Sequence, residues 1–183
     1  MRNIVIKFGL ISGLILAAFS ALGMVLWTKG IIQFENSEIF GYSAMVAAFV
    51  MVFVGIRRYR DSVGSGSITF GRAFKVGILI TLITCAIYVV TWEIVYYEFL
   101  PDFAETYSEH HLAKMEKAGA SPEAIEAERV KMKQFGELYR NPLFNVAVTF
   151  MEVFPVGLIM TLISAAILRR KPGEPPSASP AAI

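Results

Sequence analysis

Two glutamates and one proline hold most of the chemistry this chain could do inside its apolar runs. Glu152 and Pro155 lie in "TFMEVFPVG", Thr149 to Gly157, and Glu93 lies in "VVTWEIVYY", Val89 to Tyr97. An ionisable residue in such a run is costly. It pairs with another group or faces a polar cavity. Pro155 has no amide hydrogen, so the carbonyl of Met151 loses its helical donor and becomes a free acceptor beside Glu152. Glu93, Glu152, Met151 and Pro155 together form a candidate intramembrane polar site, suited to a cation, a proton or a basic donor.

Glu152 is 17 residues from Arg169, and Glu93 is 18 residues from Lys75. At 1.5 Å per residue each lies about 26 Å from its basic anchor, so the two carboxylates are expected at matched depth. On neighbouring antiparallel helices they could face one another and share a proton. A competing reading is purely structural. Each glutamate then snorkels, or pairs with Lys29 or Arg140, and simply fixes helix register.

These residues need helices to carry them, and the composition demands that those helices be in lipid. The chain has 183 residues, of which 55% are hydrophobic and 17% charged, with a mean hydropathy of +0.56. Soluble domains carry about 25% charged residues. The apolar residues are also blocked rather than scattered, in four segments long enough to span: 4–28, 38–56, 74–97 and 143–168. Four spans cannot close a barrel, so all must be helices. The expected fold is an all-α, four-transmembrane-helix bundle with an extracytoplasmic helical hairpin between spans three and four. The first apolar run, Phe8 to Trp27, is longer than a signal core and is read as a retained span.

Lysine and arginine placement sets the expected orientation. Arg2 and Lys7 precede the first span; Arg57, Arg58, Arg60, Arg72 and Lys75 lie between the second and third; Arg169, Arg170 and Lys171 follow the fourth. Both termini are expected in the cytoplasm. Trp27, Trp92, Tyr96 and Tyr97 then fall near the outer ends of their spans, as interfacial aromatics should.

Small residues recur at four-residue spacing: Gly9, Gly13, Ala17 and Ala21 in the first span, Gly77, Thr81 and Cys85 in the third, and Gly157, Thr161 and Ala165 in the fourth. Such rows allow close helix approach, within one bundle or across a homodimer seam along the first span. "GILITLITCAI" from Gly77 and "GLIMTLISAAI" from Gly157 are alike, and "GLISGLILAAF" from Gly9 resembles both, which would suit a transporter-like internal repeat. The second span has no counterpart, and shared composition is the simpler explanation.

Between Glu98 and Pro142 the chain is too polar to span. It reads as a helical hairpin over about 101–140, with a break at Gly119 and a restart at Ser121–Pro122. Ile125, Met132, Phe135 and Tyr139 make one apolar stripe, and Phe103, Tyr107 and Met115 another. His110 and His111 point about 100° apart on a helix and cannot comfortably share one ion, so no metal site is expected. Cys85 is alone, which leaves no disulfide within one chain. "GSGSITFG" lacks the lysine and hydroxyl of a phosphate-binding loop. Residues 1–171 are read as one integral membrane domain and 172–183 as a disordered cytoplasmic tail.

"GSITFGRAFKVG", "LPDFAETY", "YRNPLF" and "MEVFPVGLIMTLISAAILRRK" resemble the signatures of a bacterial multi-pass membrane family of unknown function, DUF4199. The likeness covers nearly the whole chain apart from the tail, and the cluster Glu152, Phe154, Pro155, Val156 and Gly157 is its most specific part. The resemblance implies a bacterial inner-membrane protein and assigns no activity or site residue. No catalytic constellation is present, so no enzyme and no cofactor are expected. Expected partners are the lipid bilayer, a second copy or other membrane protein, and an extracytoplasmic protein on the hairpin, with no nucleic acid. The leading function is structural or regulatory. The alternative is a small proton- or cation-coupled transporter using Glu93 and Glu152.

Overall fold

The computed structural model describes residues 1–29 and 34–170. The tail expected over 172–183 lies outside the described residues, as does Lys171. Six helices follow in order: α1 Arg2–Thr28, α2 Phe34–Ser62, α3 Phe70–Phe99, α4 Phe103–Lys117, α5 Pro122–Tyr139 and α6 Pro142–Leu168. No named strand occurs among the described residues. Four of the helices, α1, α2, α3 and α6, are long and apolar enough to cross a membrane.

Each of the four runs past its apolar segment. The clearest case is α2, which continues from the expected end at Ile56 to Ser62. Arginine is a good helix former, and Arg57 and Arg60 carry the extra turn with Asp61 between them, at 3.9 Å and 2.8 Å. The breaks are chemically explicit. Thr69 caps α3 by accepting from the Arg72 amide, and Asn141 caps α6 by accepting from Leu143 at 3.0 Å. Ser121 caps α5 from the Ala124 amide at 3.2 Å, with Pro122 in the first turn. Gly119 ends the α4 side with φ of +77°, the left-handed conformation that favours glycine.

The small residues decide which helices touch. Gly9 and Gly13 of α1 lie against Ile83 and Ile87 of α3, so these two helices run in the same direction side by side. Ser12 donates to the Ala48 carbonyl at 2.8 Å and ties α1 to α2. The glycine row of α1 is thus used inside the bundle at its first two positions; Ala17 is half-buried and Ala21 exposed. Phe49 of α2 is fully buried and packs on Gly157 of α6. The main interfaces are α3 with α6, α1 with α3, α1 with α2 and α2 with α6, which places α1 and α6 at opposite corners.

The α3–α6 interface fixes the register that matters for the site. Gly77 lies against Thr161, Gly157 lies against Thr81, and the two threonine hydroxyls are 2.9 Å apart. Farther down, Ile68 and Arg170 exchange backbone hydrogen bonds of 3.0 Å and 2.8 Å. Every step forward along α3 is therefore matched by one step backward along α6. Helices α4 and α5 pack on each other, with Gly136 facing Ala104. They sit on the end of the bundle away from the Ile68–Arg170 bridge.

Candidate functional site

With that register, Arg169 is level with Thr69 rather than with Lys75. Glu152 is then level with Ala86 of α3, and Glu93 is level with Asn145 of α6. Seven residues of helix separate the two carboxylates along the bundle axis, about 10 Å at 1.5 Å per residue. The matched depth expected from counting to Arg169 and Lys75 does not hold, because those two anchors are six residues out of step. The structure therefore does not set Glu93 and Glu152 face to face.

Glu93 instead sits half-buried at the edge of the packed side of α3, with buried Val89 and Tyr96 on one flank and exposed Val90 and Tyr97 on the other. Its Oε1 atom is buried and has no hydrogen-bond partner among the described residues. The aligned segment of α6 is polar. Asn145 is fully buried and donates to the Tyr139 carbonyl at 3.4 Å, while Thr149 donates to Asn145 at 3.2 Å.

Met151 and Pro155 are on the exposed side of α6, with Met151 at 62% exposure. Their side chains point away from the bundle, and α6 remains one helix through Pro155. Of the two counter-charges considered, Arg140 is paired with Glu105 of α4. Lys29 makes no ion pair among the described residues.

Glu152 faces a different feature. A cavity of about 910 Å³ opens between the upper half of the bundle and the α4–α5 pair. Each helix from α1 to α5 lends it two aromatic side chains, such as Phe19 and Trp27 from α1, Tyr88 and Trp92 from α3, and Phe135 and Tyr139 from α5. Helix α6 contributes Val148 and Glu152. Both tryptophans of the chain are in this wall. Glu93 is not.

The aromatic wall is rigidly tied. Trp92 Nε1 donates to the Tyr139 hydroxyl at 2.8 Å, and the Trp92 ring meets Phe103 edge-on at 5.1 Å. Tyr139 meets Tyr96 edge-on at 5.3 Å and stacks on Phe135 at 5.5 Å. These contacts seat α4 and α5 on the spans. Burial pushes the Tyr139 phenol up from its ordinary value, against the neighbouring Thr149 hydroxyl and the Trp92 hydrogen bond, which pull it down. It stays a neutral hydroxyl at physiological pH.

Glu152 lies close enough to Tyr88 and Tyr139 for its charge to act on both phenols. Its carboxyl group has no hydrogen bond or ion pair among the described residues. The other charged side chain among the described lining residues, Lys131, is already paired with Glu128 at 3.2 Å. Sequence reasoning singled out Glu152 but missed the cavity. The available signal was the placing of aromatics at the same end of α1, α2 and α3 and along one stripe of α4 and of α5.

The histidines take no part. His111 approaches Glu128 at 3.7 Å and lies parallel to the Tyr107 ring, and no group of three metal-ligating side chains occurs among the described residues.

The family profile "Protein of unknown function (DUF4199)" matches residues 7–170. Neither the curated proteins nor the solved structures contain a match.

Proposed function

The chain belongs to the DUF4199 family, proteins of unknown function, and on that premise we propose that it is a membrane-embedded binding protein with a regulatory or interaction role. It holds a hydrophobic ligand between its spans and the α4–α5 pair, and it performs no catalysis. The observation that carries this reading is the aromatic-walled cavity of about 910 Å³. That volume is at the upper end of small-molecule sites, and such a mostly apolar concavity with few polar groups is how ligand pockets are built.

The proposed setting is a bacterial inner membrane with both termini in the cytoplasm. Basic residues at the α2–α3 turn and the end of α6 support that orientation, which puts α4 and α5 outside. There they cover the cavity and offer a surface to a partner protein or a second copy. The transporter reading is less well supported, because Glu93 and Glu152 are about 10 Å out of step along the bundle.

Intrinsic fluorescence tests the binding role, since Trp27 and Trp92 both line the cavity. A bromoalkyl amphiphile titrated into the reconstituted protein should quench them saturably. Gly41 also lines the cavity and has nothing within 4 Å of where a Cβ would stand. Gly41→Phe should therefore fill the space without disturbing packing and abolish the saturable phase. Linear quenching, identical in the variant, would overturn the proposal.

A further inference from the structure

We propose that the cavity selects a lipophilic ammonium: an apolar chain ending in a cationic amine or quaternary nitrogen, held by Glu152 and the surrounding aromatic rings. This rests on the cavity being a ligand site, and names the ligand class for it.

The charge pattern of the wall carries the inference. Glu152 is the one carboxylate among the described lining residues. Glu152 is exposed on the cavity side of α6, so its charge is open to whatever enters, and a cation that brings its own apolar body is the occupant that pairs with it. Lys131 does not supply that cation, being held by Glu128 at the α5 surface. An anionic ligand would be repelled by the carboxylate, and a neutral one would leave it to water or a proton.

The neighbouring rings add a second preference of the same sign. Tyr88, Trp92 and Tyr139 line the cavity on the helices beside Glu152, and aromatic faces attract ammonium groups. Trp92 is fixed by its hydrogen bond to Tyr139, so its ring is oriented before the ligand arrives. The remaining wall, with Phe19, Met24 and Phe135, suits an alkyl or aryl body. Two sources share this chemistry: a free lipophilic amine, and the headgroup of an aminolipid.

The test uses the full chain in nanodiscs of phosphatidylglycerol, which has no ammonium group. Three dodecyl amphiphiles are titrated against tryptophan fluorescence: a trimethylammonium, a neutral maltoside and a sulfate. The ammonium should bind tightest. Glu152→Gln should weaken it by roughly 30-fold or more, a far larger loss than for the maltoside. Glu152→Asp, which keeps the charge, should retain a preference for the ammonium over the maltoside. Helicity by circular dichroism and retained maltoside binding certify the fold of each variant.

If all three amphiphiles bind alike and Glu152→Gln is silent, the cation proposal falls while the cavity remains a ligand site. If none binds saturably, the binding role falls as well. Adding phosphatidylethanolamine to the discs separates the sources. Competition with the ammonium assigns the site to an aminolipid headgroup, and no competition assigns it to a free amphiphile; either supports ammonium recognition.

Discussion

Thr81 of α3 and Thr161 of α6 meet hydroxyl to hydroxyl at 2.9 Å. Beside that pair Gly77 receives the Thr161 methyl, and Gly157 receives the Thr81 methyl. Thr81 also reaches the Gly157 carbonyl at 3.4 Å. The two similar segments beginning at Gly77 and Gly157 therefore meet each other, running in opposite directions. Their likeness serves a packing contact, in which a glycine on each helix admits a threonine from the other.

That contact should be sensitive to size and less so to polarity. Gly157→Leu and Gly77→Leu must displace Thr81, Phe49, Thr161 or Ile56, and overpacking of this kind costs about 1–3 kcal/mol or more. Thr81→Val keeps the shape and loses the hydrogen bond, worth about 0.6 kcal/mol on average between membrane helices. Thermal unfolding in detergent should rank the glycine variants well below Thr81→Val. A glycine variant as stable as the parent would mean that α3 and α6 do not approach as described.

The offset between Glu93 and Glu152 has its own consequence. Sites more than about 7–10 Å apart without shared partners add within about 0.3–0.5 kcal/mol. Stabilities of Glu93→Gln, Glu152→Gln and the double variant should therefore be additive to that margin. A coupling well above 1 kcal/mol would place the carboxylates together and restore the proton-sharing pair.

Acid should loosen α5 at its beginning. Glu123 is held below the usual carboxylate value of 4.5 by its backbone hydrogen bond first and by Ser121 second. A depressed carboxyl contributes stability that is present above the unfolded value and lost as pH falls through the folded one. Amide exchange in the first turn of α5, corrected for intrinsic rate, should therefore quicken below about pH 4.5. In Glu123→Gln this pH dependence should vanish. A first turn equally protected at pH 3 and pH 6 would contradict the assignment.

The four spans and the two shorter helices were legible because apolar length and capping chemistry are local. Ser121–Pro122, Gly119 and Asn141–Pro142 each mark a helix end within a few residues of sequence. Register between helices is not local. Counting from Lys75 and Arg169 treated two basic residues as level, whereas backbone pairing of Ile68 with Arg170 sets them six residues apart. The same limit hid the cavity. Phe19, Trp92 and Phe135 each look like an ordinary interfacial or stripe aromatic, and only the packing of α4 and α5 over the spans gathers them around Glu152.

Covalent capture tests the central claim most directly. A dodecylammonium carrying a diazirine on its chain would be photolysed with the reconstituted protein, and the adducts mapped by peptide mass spectrometry. Adducts should concentrate on cavity residues such as Phe19, Tyr88, Met132 and Phe135, and Gly41→Phe should remove them. Adducts confined to outward-facing positions such as Leu14, Val90 and Ile159, unchanged by that substitution, would show that the amphiphile sees only the lipid-facing surface and that the cavity is not a binding site.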